Sequence, residues 1–293
     1  MRRTQISEFA FRTDVEHSDL LTMKHPARHP KSYRLKFSDQ EVLGITLVQL
    51  AEPYISEAIY TPSGLLAVLI KNVIPTEMCN HAFELLKSVN GSPDNRPGII
   101  GEKARQPGVR ADGKLSPRVR VPKIVSKKYG GKADMLGYYR YSHPAKCDAT
   151  SWTKRKTGLY QATRPFIQHV NEVYKAFLPK QHATQMQYVD RIAESWKIPG
   201  TAFTTLYVLK NAPTATHTDT FDLREGFGCM ASLGSFRGGW LCFPRYRVAI
   251  DYQPGDVVLA DVHQVHANFP IHESDVRVAC VFFCGAEQHR CPA

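Results

Sequence analysis

The last third of the sequence, from Pro199 onward, is a succession of short β-rich runs separated by turn residues. The runs occupy residues 203–210, 228–233, 239–243, 247–252, 256–261 and 276–284. Many short strands with turn residues between them are typical of an antiparallel sandwich or barrel. This pattern constrains the fold more than any other feature of the chain.

Two amphipathic helices are predicted upstream of these strands. Apolar residues recur every three or four positions over 75–89 and over 159–177, and a weaker helical pattern covers 183–196. Pro165 is expected to start or bend the second helix. Helices followed by a strand-rich half favour an α+β fold in which the helices support a β core.

The composition is that of a globular protein. Hydrophobic residues make up 43% of 293 residues, which is enough to bury a core. The longest apolar runs, 65–70 and 278–284, are far shorter than the roughly twenty residues of a membrane helix. The N-terminus lacks the apolar core of a secretory signal, and the seven cysteines show no CxxC spacing. We therefore predict an intracellular, non-secreted protein without membrane association, whose thiols are free and mostly buried.

The positive charge is concentrated in one region. The chain carries a net charge of +11, and residues 102–132 hold ten Lys and Arg against two acidic residues. This segment is also rich in Gly and Pro, which predicts long loops. Aromatic residues at 138–141 and Trp152 separate it from a second basic cluster at 154–156. Such a mixture suits phosphate contacts and base stacking, although an ordinary solvated loop explains the segment equally well.

A metal site is indicated by a His and an Asp two residues apart, His217 and Asp219. On an extended segment they lie on one side of the strand and can bind one metal ion. About fifty residues later His263 and His266 supply a second imidazole, and Arg277 lies in an otherwise apolar strand. Two histidines and a carboxylate leave open positions on Fe(II) for a bidentate co-substrate such as 2-oxoglutarate. A buried guanidinium binds the distal carboxylate of that co-substrate.

Each of these residues taken alone is better explained as structural. A His in a β-rich half is more often hydrogen-bonded than metal-bound, and a strand Arg is more often a surface residue. The ordered combination favours the metal site. A zinc hydrolase is the main competing metal hypothesis, and it leaves Arg277 unexplained.

The stretch from Thr201 to Cys284 resembles the double-stranded β-helix of 2-oxoglutarate- and Fe(II)-dependent dioxygenases. The similarity is closest to the TET/JBP nucleobase oxygenases, in particular their fungal, transposon-associated branch, and extends upstream to about Leu136. The segments that carry it are Thr201-Ala-Phe-Thr-Thr-Leu, His217-Thr-Asp219-Thr-Phe-Asp222, Phe236-Arg-Gly238-Gly239-Trp-Leu-Cys-Phe243-Pro244, Tyr252-Gln-Pro254-Gly255-Asp256, His266-Ala-Asn268 and Arg277-Val-Ala-Cys-Val-Phe-Phe283.

The resemblance implies an α+β fold with a double-stranded β-helix (jelly-roll) core buttressed by N-terminal helices. It further implies that His217, Asp219 and His266 bind Fe(II), and that Arg277 binds 2-oxoglutarate. The distal histidine could be either His263 or His266, and the spacing to Arg277 favours His266.

Substrate residues are implied in the same way. Asp222 matches a position that meets the exocyclic amine of a flipped cytosine, and Asn211 is expected to help orient the co-substrate. The implied reaction uses Fe(II), 2-oxoglutarate and O2 to oxidise the methyl group of 5-methylcytosine in double-stranded DNA. The basic segment, with Lys123, Lys127 and Lys128, is expected to contact that DNA.

The sequence thus predicts a nuclear enzyme with no evident obligate protein partner. Residues 1–60 are expected to form an N-terminal extension packed on the core. Residues 61–293 are expected to form one dioxygenase domain with a basic DNA-contacting insert at about 102–156. The alternatives are an N6-methyladenine demethylase, a hydroxylase of proteins or small molecules, and a DNA-binding module with a vestigial metal site.

Overall fold

The fold is given by a computed structural model of the chain. It describes residues 11–12, 46–50, 56–61, 63–91, 108–109, 115–116, 131–142, 145–243, 246, 248–268, 271–272 and 274–292. The strands are β1 (Phe11–Arg12), β2 (Thr46–Leu50), β3 (Ser56–Thr61), β4 (Gly64–Ile70), β5 (Gly108–Val109), β6 (Leu115–Ser116), β7 (Lys132–Ser142), β8 (Ala145–Ala149), β9 (Thr205–Lys210), β10 (Thr214–His217), β11 (Gly228–Ser235), β12 (Leu241–Phe243), β13 (Val248–Ile250), β14 (Val257–Ala260), β15 (His266–Asn268) and β16 (Val276–Phe283). The helices are α1 (Thr76–Leu86), α2 (Ser151–Arg155), α3 (Thr157–Phe177) and α4 (Pro179–Val189), with short 3₁₀ helices at Glu194–Trp196 and Gln288–Arg290.

Two antiparallel sheets face each other. The larger has the order β2-β3-β4-β14-β11-β16-β9-β7-β8, and the smaller has the order β1-β13-β12-β15-β10. Their inner faces share one apolar cluster, to which the large sheet contributes Leu69 and Met230 and the small sheet contributes Leu241, Phe243 and Ile250. Two packed sheets of this kind form a jelly roll, so the predicted fold class is confirmed.

The outer face of the large sheet is covered by helices. Side chains alternate along its central strands, so that Val278, Cys280 and Phe282 of β16 face the helices while Arg277 faces the other sheet. Helix α3 buries residues at three- and four-residue spacing against this face, among them Phe166 and Val170. This packing leaves the inner face of β16 available for the site.

Two predicted helix positions need correction. Pro165 lies inside α3, which begins earlier at Thr157. The weak helix expected at 183–196 begins instead at Pro179 and ends at Val189, and a separate 3₁₀ helix covers Glu194–Trp196. Proline favours the first turn of a helix because its missing N–H is not needed there, so Pro179 ends α3 and begins α4.

The expectation of free thiols is wrong for two cysteines. Cys147 in β8 and Cys291 near the C-terminus form a disulfide across 144 residues of sequence, whereas the other five cysteines are free and buried. The pairing was hidden because it depends on the return of the C-terminal segment to β8. No helix of the described residues is long and apolar enough to cross a bilayer.

The division of the chain at residue 60 stays a prediction. Residue 60 lies within β3, which pairs with β2 on one side and with β4 on the other. Much of the expected basic insert, including Lys123, Lys127 and Lys128, lies outside the described residues. Its later part contains β7, β8 and α2.

Candidate active site

Three side chains meet where the ends of β10 and β15 pair. His217 and His266 are directly opposite each other in the antiparallel register, and Asp219 follows two residues after His217. Oxygens of Asp219 lie 3.6 Å from His217 Nε2 and 3.7 Å from His266 Nε2. One ligand atom from each residue falls within 4.8 Å of the others.

This group fits a divalent metal ion. Bonds of about 2.1 Å to one ion hold two donor atoms no more than about 4.2 Å apart, so the two Asp219 distances already satisfy that limit. Two imidazoles and one carboxylate are the donor set typical of Fe(II) oxygenases, and they leave coordination positions open. Asp219 and His266 are both buried.

His266 is oriented by its own backbone neighbourhood. Its Nδ1 lies 2.9 Å from the carbonyl oxygen of Gln264, so Nδ1–H donates there and Nε2 is left toward Asp219. A hydrogen bond of this kind fixes the tautomer and the ring orientation of a metal-binding histidine. The structure therefore brings His266 to the acidic group, as the spacing to Arg277 favoured.

His263 is engaged elsewhere. Its Nδ1 lies 3.3 Å from a carboxylate oxygen of Asp261, and its Nε2 lies 3.4 Å from the carbonyl oxygen of Asp222. The hydrogen bond with Asp261 raises the pKa of His263, against the opposing effect of burial. These contacts connect the turn after β14 to the turn after β10.

The second part of the site is the buried side chain of Arg277. Its Nε donates to Ser232 Oγ at 3.0 Å, and an Nη donates to the hydroxyl of Tyr252. Its guanidinium carbon lies 5.4 Å from the ring centre of Phe236 and 5.0 Å from that of Tyr252. Within the described part of the chain, no acidic side chain is within 4.0 Å of this guanidinium. A buried cation held by neutral groups fits an anionic ligand such as a carboxylate.

Glycine allows the backbone to approach this arginine closely. Gly238 and Gly239 both have positive φ values, 81° and 71°. A Cβ on Gly239 would lie 3.0 Å from Arg277 Cδ and 2.9 Å from Ile271 Cγ2. The Gly-Gly pair of the sequence motif therefore has a local reason, since a side chain at 239 would displace the arginine.

Asn211 holds the backbone that carries Arg277. It has a φ of 51°, its Oδ1 accepts from Arg277 N at 2.9 Å, and its Nδ2 donates to the Asp275 carbonyl at 3.3 Å. Its backbone N–H also donates to the Arg277 carbonyl at 3.0 Å. With its side chain used in this way, Asn211 positions the backbone that carries Arg277, and its expected role toward the co-substrate stays a prediction.

Asp222 lies on the same turn as Asp219. Its backbone N–H approaches the Asp219 carbonyl at 3.4 Å, and it forms a β-bridge with Gly285. Asp222 is 6% exposed, as is Asp219. Two carboxylates three residues apart are thus held inside the same turn.

Two residues of the site were missed by sequence reasoning. Ser232 and Tyr252 bind the guanidinium of Arg277, although neither was assigned a role. Tyr252 had a usable signal because it lies two residues before Pro254, the start of the Pro-Gly-Asp turn at 254–256. Ser232 had none, since it appears only as one small polar residue within β11.

Comparison with known proteins defines the class. The Tet_JBP family profile, described as the oxygenase domain of the 2OGFeDO superfamily, matches residues 134–286, just over half of the chain. The protein belongs to this family of 2-oxoglutarate- and Fe(II)-dependent oxygenases, as the sequence motifs predicted. The superfamily uses Fe(II), 2-oxoglutarate and O2, which agrees with the donor set and the buried arginine.

Particular relatives are found among thymine dioxygenases. The chain is 31% identical over 185 residues to "Thymine dioxygenase JBP1" of Crithidia fasciculata, covering 59% of this chain and 22% of that protein. It is 28% identical over 234 residues to "Bifunctional helicase and thymine dioxygenase JBP2" of Leishmania infantum, covering 77% and 19%. The chain therefore spans about a fifth of the length of these relatives.

A solved structure has a similar fold. NgTET1 in complex with 5mC DNA matches with a TM-score of 0.54 and 15% identity, covering 78% of this chain and 75% of that one. At this identity the match supports the fold alone.

Proposed function

We propose that this protein is a 2-oxoglutarate- and Fe(II)-dependent dioxygenase that oxidises the C5 methyl group of 5-methylcytosine in double-stranded DNA. The observation that carries the proposal is the meeting of His217, Asp219 and His266 on the inner side of a jelly roll that also buries Arg277. The family membership supports the same chemistry. The product is 5-hydroxymethylcytosine, and repeated turnover would oxidise the same carbon further.

The protein contributes binding and orientation. His217, Asp219 and His266 would hold the metal, and Arg277 would bind the distal carboxylate of 2-oxoglutarate, with Ser232 and Tyr252 fixing its guanidinium. Bound Fe(II), with 2-oxoglutarate and O2, supplies the oxidant that inserts oxygen into a methyl C–H bond. Burial of Asp219 and His266 keeps bulk water away from that centre.

The base preference rests on Asp222. A carboxylate accepts hydrogen bonds, so it favours the N4 amine of cytosine and repels the O4 of thymine. The position of Asp222 on the turn that carries Asp219 supports a role beside the reacting base. Since the target methyl lies within a stacked duplex, the nucleotide must be flipped out to reach the metal.

Phosphate contacts would compensate for the unstacking. Lys123, Lys127 and Lys128 belong to the most basic segment of the chain, and we propose that they bind the DNA backbone. Replacing all three with Gln should weaken binding at every sequence and reduce the salt dependence of the affinity. An unchanged salt slope would exclude them. Nuclear localisation follows from a DNA substrate.

A second candidate function is oxidation of the thymine methyl. It is favoured by the names of the relatives JBP1 and JBP2, which are thymine dioxygenases. Thymine and 5-methylcytosine carry the same C5 methyl group and differ in the hydrogen-bonding group at C4. The two candidate functions therefore share the same oxidation chemistry. They differ only in how residues such as Asp222 recognise the group at C4 of the base.

The test is oxidation of matched duplexes that differ only in the target base, with nucleoside mass spectrometry as the readout. Wild-type protein loaded anaerobically with Fe(II), then given O2 and 2-oxoglutarate, should convert 5-methylcytosine and leave thymine unchanged. Asp222→Asn should lose about 1–3 kcal/mol of the preference for 5-methylcytosine, because the amide can donate to O4 of thymine. Oxidation of thymine alone by the wild type would replace the first candidate with the second.

A further inference from the structure

The turn between the two buried carboxylates bears an exposed aromatic side chain. Phe221 is 66% exposed, and among the described residues the only other large hydrophobic of this kind is Tyr60 at 38%. A single exposed apolar side chain needs no explanation by itself. Phe221, however, lies between Asp219 and Asp222 of the candidate site, whereas Tyr60 lies in β3. Its position therefore indicates a function that the position of Tyr60 does not.

The turn separates an inward side from an outward side. Asp219 and Asp222 are buried, whereas Thr220 and Phe221 between them are exposed. With consecutive Cα atoms 3.8 Å apart, the Cα of Phe221 lies within about 7.6 Å of the Cα of Asp219. An exposed aromatic side chain therefore lies on the same turn as a candidate metal ligand, with its Cα close to that of Asp219.

The backbone of this turn is firmly held. The Phe221 carbonyl accepts from Ala286 N at 2.9 Å, and Leu223 N donates to the Cys284 carbonyl at 2.8 Å. Asp219 N donates to the Val262 carbonyl at 3.0 Å. Contacts with two different parts of the chain fix the direction in which Phe221 projects, so the ring is presented without a large ordering cost.

We propose that Phe221 inserts into the DNA stack beside the target nucleotide and replaces the stacking that is lost when the base is flipped. This inference rests on the proposed function, since it requires a duplex and a flipped base. Apolar side chains that wedge between base steps stabilise unstacked DNA, and contacts between bases and aromatic rings contribute to binding without reading sequence. Asp222 on the inward side of the turn then reads the flipped base, while Phe221 on the outward side occupies the gap.

The test compares Phe221→Ala and Phe221→Trp with wild type, and uses Tyr60→Ala as the matched control at the other exposed aromatic. The first readout is binding without turnover, using duplexes with 2-aminopurine in place of the target base, whose fluorescence rises when that base leaves the stack. Wild type, Phe221→Trp and Tyr60→Ala should raise the fluorescence at saturating protein, and Phe221→Ala should not. A full rise with Phe221→Ala would overturn the proposal.

The second readout is kcat/KM on a paired duplex and on a duplex with an abasic site opposite the target, where the base is already free to leave the stack. Phe221→Ala should lose about tenfold or more on the paired duplex and less than about twofold on the abasic one. Equal losses on both substrates would show a merely structural role and overturn the proposal. If the wild type unstacks DNA through Phe221 but oxidises no base, the proposed function fails while the inference about Phe221 stands.

Discussion

A buried guanidinium without a carboxylate partner is costly for a folded protein, because the charge has lost its water and gained only neutral neighbours. Arg277 is 4% exposed and is held by Ser232, Tyr252 and two aromatic rings. An anionic co-substrate removes this cost when it binds. At the scale of single residues, the proposed role of Arg277 would therefore give the site a physical reason to select a dicarboxylate.

The first prediction concerns the replacement of this charge. Arg277→Gln should raise the KM for 2-oxoglutarate about 30-fold or more, since losing one partner of a buried charged pair costs roughly 2–5 kcal/mol. Arg237→Gln is the control, because Arg237 is a largely exposed arginine paired with Asp275. Co-substrate titrations of both variants measure the effect, and equal KM values for Arg277→Gln and wild type would contradict it.

The second prediction concerns Gly239, which lies close to the side chain of Arg277. Gly239→Ala should lower the free energy of unfolding by at least roughly 1–2 kcal/mol, the cost of a left-handed residue with a Cβ. The new Cβ would also lie 2.9 Å from Ile271 Cγ2 and 3.0 Å from Arg277 Cδ, and these close contacts add to that cost. The matched variant is Gly158→Ala in α3, where a Cβ meets nothing within 4 Å. Urea unfolding should show it unchanged or more stable by about 0.4–1 kcal/mol.

The residues of the site were unevenly predictable. His217 and Asp219 could be found because their spacing is local, and His266 because it precedes Arg277 in order. Tyr252 lies near the Pro-Gly-Asp turn and its contact was still overlooked, whereas Ser232 meets the guanidinium only after β11 and β16 have paired, so no local pattern indicated it. The contact of Asn211 with the Arg277 backbone was hidden for the same reason, because 66 residues separate the two.

At the scale of elements, the strands missed within the last third of the chain are the polar ones, and β2, β3 and the apolar β4 upstream were not predicted as strands either. Strand β10 (Thr214–His217) and strand β15 (His266–Asn268) are short and lack an apolar alternation. Strand β7 combines a glycine with charged and aromatic residues, and it was assigned to the basic region instead of to the sheet. By contrast, the apolar runs of β9, β11, β14 and β16 were predicted nearly to their ends. Polar strands form here because neighbouring strands pair with them.

An ion pair connects helix α2 to strand β8. Asp148 of β8 accepts from Lys146 and from Lys154 of α2. The hydrogen bond from Lys146 is the largest cause that lowers the pKa of Asp148 to about 2, followed by that from Lys154. The interaction is at the surface and is screened by salt.

The third prediction follows from the sign of this shift. A carboxyl group with a lowered folded-state pKa contributes stability above its ordinary pKa of 3.8, and loses it as the pH falls toward 2. Asp148→Asn should therefore be slightly less stable than wild type at pH 7 in low salt, and the difference should vanish near pH 2 or in 1 M salt. A difference that persisted at pH 2 would show that another contact of Asp148 is responsible. Thermal unfolding of Asp148→Asn and wild type across this pH range measures the difference in stability.

At the scale of the whole molecule, the fold assembles a site from distant parts of the chain. The pairing of β10 with β15 in the small sheet brings His217 and Asp219 to His266, and β16 of the large sheet brings Arg277 to the inner face. A sandwich or barrel was predictable from the many apolar strands, and the jelly roll was implied by the family resemblance. Strand order and register were not, because they are set by long-range pairing.

The C-terminal segment adds a second long-range connection. The bridge between Asp222 and Gly285 and the disulfide between Cys147 and Cys291 tie residues 284–292 to the turn of the site and to β8. These contacts explain why the turn at 219–223 keeps a fixed direction. The family match from residue 134 to residue 286 includes Asp222, Gly285 and Cys147 and ends before Cys291.

The central claim is that one ferrous ion binds between His217, Asp219 and His266. The most direct test is anaerobic equilibrium binding of Fe(II) to wild type, His266→Ala and His263→Ala, with metal content per chain measured at each free concentration. One ion should bind to wild type and to His263→Ala with similar affinity, while His266→Ala should lose about 10-fold or more in affinity. Undiminished binding by His266→Ala together with loss of binding by His263→Ala would contradict the account.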